Sequence, residues 1–138
     1  MFAGSGQLGI EALSRGAESA VFVDNAKKSL DVVYKNLEAT GFSKSARVVN
    51  ADSLAFLRRR AEKYDVALLD PPYHTGLLQQ ALQLVPEVMS EGGVIVCEAP
   101  NGEEMPETAG NMVLTKSYKY GKIKLYTYRR PLDNDTQE

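Results

Sequence analysis

The chain has 138 residues, of which 43% are hydrophobic and 25% charged, and this composition suits one globular domain. Its apolar runs reach at most five residues, too few to cross a membrane, and we expect no signal peptide, because the residues after Met1 lack its basic and apolar regions. A single cysteine (Cys97) and a single histidine (His74) argue against a disulfide framework and against a metal site built from those residues. We expect one cytoplasmic domain over residues 1–131 and a disordered polar tail over 132–138.

The net charge of −2 hides an uneven distribution of charge. Residues 1–107 carry ten basic and fifteen acidic side chains, whereas residues 108–132 carry six basic side chains and no acid. The six are Lys116, Lys119, Lys122, Lys124, Arg129 and Arg130. Lysines that guard a strand edge and a surface that binds phosphate groups both explain this run, and charge alone leaves the two interpretations open.

Helical and strand-like patterns alternate along the chain, which predicts repeated βα units. Helices are expected over 7–15, 26–40 and 53–60. A fourth helix, followed by Gly92-Gly93, is predicted by an apolar stripe of Leu78, Ala81, Leu82, Val85 and Met89. Strands are expected over 20–23, 47–49, 66–69 and 94–97, and a hairpin over 113–118 and 122–129. The sequence therefore predicts an α/β fold with a mixed, mostly parallel sheet that ends in an antiparallel hairpin.

Only three residues precede the first glycine of a Gly-rich loop, although such a loop normally follows a strand of five or six residues. We therefore expect that the first strand is largely missing and that the chain is shortened at its N-terminus. A truncated sheet would expose strand edges, through which two chains could form a dimer.

The Gly-rich loop fits the pattern G-x-G-x-x-G at Gly4, Gly6 and Gly9, and Asp24 ends the next predicted strand. Glycine allows a sharp turn and a close approach of backbone to a ligand, and an acid at the end of the second strand can accept hydrogen bonds from ribose hydroxyls. Nicotinamide dehydrogenases and enzymes that use S-adenosyl-L-methionine (SAM) share this pattern.

Asp52 and Ser53 follow the third predicted strand, at the sheet edge where ligands of such folds collect. Asp52 could bind an adenine amino group. It could equally serve as the N-cap of the helix that follows, and the two roles are compatible.

Asp70-Pro71-Pro72-Tyr73 directly follows a buried apolar strand and is the most specific motif in the chain. Two prolines fix the backbone and remove two N–H donors, which leaves a stiff turn rich in hydrogen-bond acceptors. Such acceptors suit a substrate with a planar N–H₂ group, and Tyr73 can stack on a base. Among the neighbouring residues, Glu98 could touch the ligand, whereas we expect Cys97 in the core.

Four segments of the sequence resemble the RsmD-type 16S rRNA guanine-N2 methyltransferases. They are Phe2-Ala3-Gly4-Ser5-Gly6, the stretch from Leu8 to Ala17, Asp70-Pro71-Pro72-Tyr73, and Tyr118-Lys119-Tyr120-Gly121. The resemblance implies a Rossmann-like SAM-dependent methyltransferase that acts on 16S rRNA or the small ribosomal subunit without a metal ion.

The resemblance also assigns the site residues. It implies catalytic roles for Asp70, Pro71, Pro72 and Tyr73, and cofactor contacts for Phe2, Ala3, Gly4, Ser5, Gly6, Gly9, Asp24, Asn25, Asp52, Ser53 and Asp70. Methylation of adenine N6 or of a protein glutamine amide would use the same proline turn. A non-catalytic SAM-binding remnant and a nicotinamide oxidoreductase are further alternatives, although the latter leaves the proline turn unexplained.

Overall fold

The computed structural model of the chain describes residues 1, 3–4, 6–71, 76–100, 102 and 104–131. The chain divides into an N-terminal unit, Met1–Phe56, and a C-terminal unit, Leu57–Glu138. The boundary between them along the chain falls within a short helix, α3 (Ser53–Arg58). The described residues contain no helix that is both long and apolar enough to cross a membrane.

The N-terminal unit contains two parallel strands and the helices that connect them. These are α1 (Gln7–Ser14), β1 (Ala20–Asp24), α2 (Lys27–Thr40), a 3₁₀ turn (Ser43–Ser45) and β2 (Ala46–Asn50). The strand register runs from Ala20 opposite Ala46 to Asp24 opposite Asn50. Helix α2 ends at Gly41, whose φ of 80° is the left-handed conformation that commonly terminates a helix.

The core of the N-terminal unit is built from Leu13, Phe22, Val33 and Leu37, each at most 5% exposed. Helix α2 supplies two of these four residues from its buried face. Gly9 of α1 lies against the ring of Phe22, and a Cβ atom at this position would overlap that ring. Gly9 is therefore required for packing, whatever else the Gly-rich loop does.

The C-terminal unit contains a five-stranded sheet in the order β3-β4-β7-β6-β5. Its elements are β3 (Tyr64–Leu69), α4 (Leu77–Leu84), a 3₁₀ turn (Val85–Val88), β4 (Met89–Pro100), β5 (Thr108–Ala109), β6 (Met112–Tyr120) and β7 (Ile123–Arg129). Strands β3 and β4 are parallel, and the three remaining pairs are antiparallel. The α/β class and the mixed sheet are confirmed, but the antiparallel share is larger than the sequence suggested.

One face of this sheet is buried across β3, β4 and β7. The register places Leu69 beside Cys97 and Cys97 beside Tyr126, and all three side chains are buried. Tyr128 lies two residues beyond Tyr126 in β7, on the same face, and is also fully buried. Its hydroxyl donates to the carbonyl of Pro106 at 2.7 Å. This hydrogen bond satisfies the phenol and fixes the segment that leads into β5.

The structure corrects three of the predicted boundaries. The helix expected to extend to Met89 ends at Leu84, because Pro86, the second residue of the 3₁₀ turn, lacks the N–H that a continuing α-helix needs. Met89 instead starts β4, so Gly92-Gly93 lies within this long strand and not after a helix. Helix α3 ends at Arg58, before the predicted residue 60, and β5 was not predicted.

We predict that Gly9→Ala destabilises the protein by about 1–3 kcal/mol, the usual cost of overpacking, despite the higher helix propensity of alanine. Chemical denaturation measures the change in the free energy of unfolding. Phe22→Leu, which removes part of the opposing ring, should offset much of this loss when the two substitutions are combined. Strictly additive effects of the two substitutions would show that the contact between Gly9 and Phe22 does not determine the loss.

Candidate functional site

The start of the chain runs beside β1 and then turns at the Gly-rich loop. The Ala3 amide donates to the Val23 carbonyl at 3.1 Å, and the Gly6 amide donates back to the Ala3 carbonyl at 2.8 Å. Gly4 and Gly6 have φ values of 57° and 81°, in the left-handed region that favours glycine. The two glycines therefore make the sharp turn that leads into α1, as the motif predicts.

The carboxylate of Asp24 organises this loop. Its Oδ2 accepts a hydrogen bond from the Gly4 amide at 3.1 Å, and its Oδ1 accepts one from the Ala26 amide at 2.9 Å. Two carboxylate oxygens offer about four acceptor positions, so both oxygens keep the capacity to accept hydrogen bonds from a ligand. Asp24 is thus a structural residue of the loop as well as a candidate ligand for ribose hydroxyls.

The loop has space on its outer side for a ligand. A Cβ atom built on Gly4 would meet no atom of the described residues within 4 Å apart from its chain neighbours, whereas one built on Gly6 would approach the side chain of Val33 at 3.2 Å. Gly6 therefore faces the core, and Gly4 is exposed. Helix α1 begins directly after Gly6, and the first N–H groups of a helix have no partner within it.

Asp52 lies two residues beyond Asn50, which is the register partner of Asp24. Both acids therefore lie at the carboxyl ends of the parallel pair β1–β2. The Oδ2 atom of Asp52 accepts from the Ala55 amide at 3.0 Å, which confirms the N-cap interpretation. Ser53 is 4% exposed, whereas Asp52 is exposed, and a cofactor contact stays a prediction for both.

The predicted cofactor residues next to Asp24 and in the first turn of the Gly-rich loop fall into two groups. The structure brings Ala3, Gly4, Gly6 and Asp24 together through the hydrogen bonds above, and Asn25 is exposed beside them. Phe2 and Ser5 lie outside the described residues. Contact with a cofactor stays a prediction for every one of these positions.

Asp70 and Pro71 follow β3 in the C-terminal unit, with Asp70 exposed and Pro71 buried. Leu69 is the register partner of Cys97, so the next residues, Asp70 and Glu98, lie at the same carboxyl edge of two parallel strands. Pro72 and Tyr73, which complete the predicted motif, lie outside the described residues, as does His74.

The environment of Asp70 makes its carboxyl group more basic. Partial burial raises the pKa of Asp70 above its usual value of 3.8, and the negative charge of Glu98 raises it further. A carboxylate with a raised pKa is a better proton acceptor than an ordinary surface aspartate. Glu98 was only a minor candidate from the sequence, because its proximity to Asp70 depends on the pairing of β3 with β4.

Cys97 has no place in this chemistry. Its side chain is fully buried, and burial raises the pKa of the thiol to about 12, so the thiolate is scarce at neutral pH. The prediction that Cys97 belongs to the core is confirmed. The described part of the chain contains no group of three or more histidine, cysteine or acidic side chains placed to hold a metal ion.

One family model and several named relatives match this chain. The family model described as Conserved hypothetical protein 95 matches residues 1–129. The Bacillus subtilis protein YlbH, named as an rRNA methyltransferase, is 38% identical over 94% of this chain and 73% of its own length. The Escherichia coli ribosomal RNA small subunit methyltransferase D is 30% identical over 98% of this chain and 69% of its own length.

Solved structures agree with these sequence relationships. A conserved protein from Streptococcus pyogenes matches with a TM-score of 0.85 and 27% identity, over 94% of this chain and 82% of that one. The Haemophilus influenzae protein HI0767, described as a methylase, matches with a TM-score of 0.81 and 34% identity, over 95% and 84% of the two chains. The Rossmann-like methyltransferase fold expected from the sequence is confirmed.

We predict that Glu98→Gln lowers the pKa of Asp70 toward 3.8, because it removes a neighbouring negative charge. Carboxyl ¹³C chemical shifts followed through a pH titration measure this change. Because the pKa of Asp70 is raised in the folded chain, its contribution to stability is present below pH 3.8 and is lost as the pH rises through the raised pKa. Glu98→Gln should reduce that loss.

Glu91→Gln is the matched control, since Glu91 is an exposed acid near the opposite end of the same strand. It should leave the titration of Asp70 unchanged. An identical Asp70 titration in the Glu98→Gln protein would show that the two carboxylates do not interact.

Proposed function

Because this chain belongs to the RsmD-type family described by the Conserved hypothetical protein 95 model, we propose that it methylates rRNA of the small ribosomal subunit. The observation that carries the proposal is the similarity to the E. coli small subunit methyltransferase D, which extends over 98% of this chain. The cofactor is SAM, and the acceptor that we propose is the exocyclic N2 amine of a guanine in 16S rRNA.

The N-terminal unit supplies the residues that would hold the cofactor. Gly4 and Gly6 shape a loop that is open at Gly4, and Asp24 keeps acceptor capacity for two ribose hydroxyls. Asp52 is exposed at the same strand ends and can accept a hydrogen bond from an adenine amino group. When bound, SAM supplies an electrophilic methyl group on a sulfonium sulfur.

Asp70 would hold the amine that receives the methyl group. The lone pair of an amino group on an aromatic ring is delocalised, so the group is a poor nucleophile until it becomes pyramidal. Hydrogen bonds from both N–H groups to the Asp70 carboxylate and to nearby backbone carbonyls favour that geometry and orient the lone pair. As the amine receives the methyl group of SAM, whose sulfur would keep the electrons of the broken carbon–sulfur bond, a carboxylate oxygen of Asp70 would take the excess proton.

The proposed partner is 16S rRNA, either free or within the small ribosomal subunit. A reaction on this partner would take place in the cytoplasm, where we expect the protein. A dimer through exposed sheet edges stays a separate prediction.

We predict that Asp70→Ala lowers the rate of methyl transfer to 16S rRNA by about 10²- to 10⁴-fold, the usual contribution of a positioned acid or base. Affinity for SAM should change little, because the other ten residues predicted to contact the cofactor are unchanged. The rate is measured with radiolabelled SAM and rRNA from cells lacking the gene, and affinity is measured by calorimetry. Asp31→Ala, at an exposed position of α2, is the control.

Nucleoside analysis of the labelled rRNA identifies the acceptor. N2-methylguanosine is the expected product of the wild-type protein. N6-methyladenosine would contradict the guanine assignment, and full activity of Asp70→Ala would contradict the role of the carboxylate.

A further inference from the structure

A row of side-chain positions connects Asp70 to the hairpin formed by β6 and β7. Asp70 follows Leu69, which pairs with Cys97, so Asp70 lies beside Glu98. Glu98 pairs with Leu125, and Leu125 pairs with Tyr118. Neighbouring strands lie about 4.8 Å apart, so three strand spacings put the Tyr118 backbone about 14 Å from that of Asp70. The hairpin therefore ends at the same edge of the sheet as the proposed catalytic residue.

Tyr118 differs from the other described tyrosine side chains of this hairpin. Tyr126 and Tyr128 are 7% and 0% exposed and belong to the buried face, whereas Tyr118 is 43% exposed. It shares the opposite face with Glu98 and Leu125. Core packing accounts for Tyr126 and Tyr128 but does not require an aromatic ring at Tyr118.

Three lysines surround the end of the hairpin: Lys119 at the end of β6, Lys122 in the turn and Lys124 at the start of β7. No acidic residue occurs in residues 108–132, and no ion pair involves these lysines within the part of the chain that is described. Protection of a strand edge accounts for Lys119, because β6 pairs with β5 only near its start. It does not account for Lys124, since β7 lies between β4 and β6.

We propose that Tyr118 and the lysines of the hairpin tip (Lys119, Lys122 and Lys124) bind single-stranded RNA next to the nucleotide held at Asp70. Tyr118 stacks on a flanking base, and the lysines contact phosphate groups. An exposed aromatic ring among cations that form no ion pair with the described residues is the combination that single-stranded nucleic acid recognises. A single strand fits because the amine of a paired guanine is engaged in the duplex, so a base must leave its helix before methylation. The inference rests on the proposed function for its substrate class.

Tyr118→Ala should weaken binding of a fluorescein-labelled, guanine-containing single-stranded RNA 12-mer by about 5- to 100-fold, the range expected for loss of one base stack. Tyr118→Phe keeps the ring and should bind nearly as the wild type does. Tyr34→Ala is the matched control, because Tyr34 is a 57% exposed tyrosine on α2. Fluorescence anisotropy on the full chain measures all four proteins.

Lys119→Gln combined with Lys122→Gln should also weaken RNA binding and reduce its dependence on salt. The slope of log K against log[salt] should fall by about 1.4, because each phosphate contact to a single strand contributes about 0.7. Lys35→Gln combined with Lys44→Gln removes the same charge from exposed positions of the N-terminal unit and should leave the slope unchanged.

In methyl-transfer assays the hairpin variants should raise KM for RNA while kcat and the affinity for SAM stay close to wild type. The inference is overturned if the wild-type chain does not bind the RNA, or if Tyr118→Ala and the lysine variant bind it as tightly as their controls do. The proposed function is judged separately, by methyl transfer from SAM to rRNA. Normal transfer with unchanged binding in the hairpin variants would thus refute the RNA surface and leave the methyltransferase proposal standing.

Discussion

The hydrogen bonds of the Asp24 carboxylate shape the edge of the N-terminal unit that we assign to the cofactor. Asp24 holds the Gly4 amide with one oxygen and the Ala26 amide with the other, so the Gly-rich loop and the start of α2 are fixed to the end of β1. Hydrogen bonds to a charged acceptor are stronger than those between neutral groups, typically about 1.5–3 kcal/mol. The loop that we assign to SAM is therefore held in shape before any ligand arrives, which lowers the entropic cost of binding.

The C-terminal unit arranges its functional groups by strand pairing. Parallel pairing of β3 with β4 puts Asp70 and Glu98 at one edge, and antiparallel pairing of β4 with β7 and β6 extends that row to Tyr118. The raised pKa of Asp70, the exposed tyrosine and the lysines of the hairpin tip thus follow from one sheet register. A shift of that register by one residue would turn Glu98 and Tyr118 to the opposite face.

Local sequence patterns predicted much of this arrangement. The Gly-rich loop, Asp24, the N-cap at Asp52 and the amphipathic α2 each depend on residues close in sequence, and the structure agrees with them. The two-residue strand β5 is too short to leave a periodic signal, and Met89 continued the apolar stripe of α4 although Pro86 had already ended the helix. The contact between Gly9 and Phe22 and the row from Asp70 to Tyr118 depend on pairings between distant segments, which no local pattern contains.

Calorimetric titration with SAM tests the central claim, that the Asp24 carboxylate shapes and completes the cofactor loop. We predict that the wild-type chain binds SAM with micromolar affinity and does not bind NAD. Asp24→Asn should bind SAM at least tenfold more weakly, because it loses one carboxylate acceptor and the charge. Circular dichroism establishes that the variant is folded. Equal affinity of the folded Asp24→Asn protein for SAM, or preferential binding of NAD by the wild type, would contradict the account.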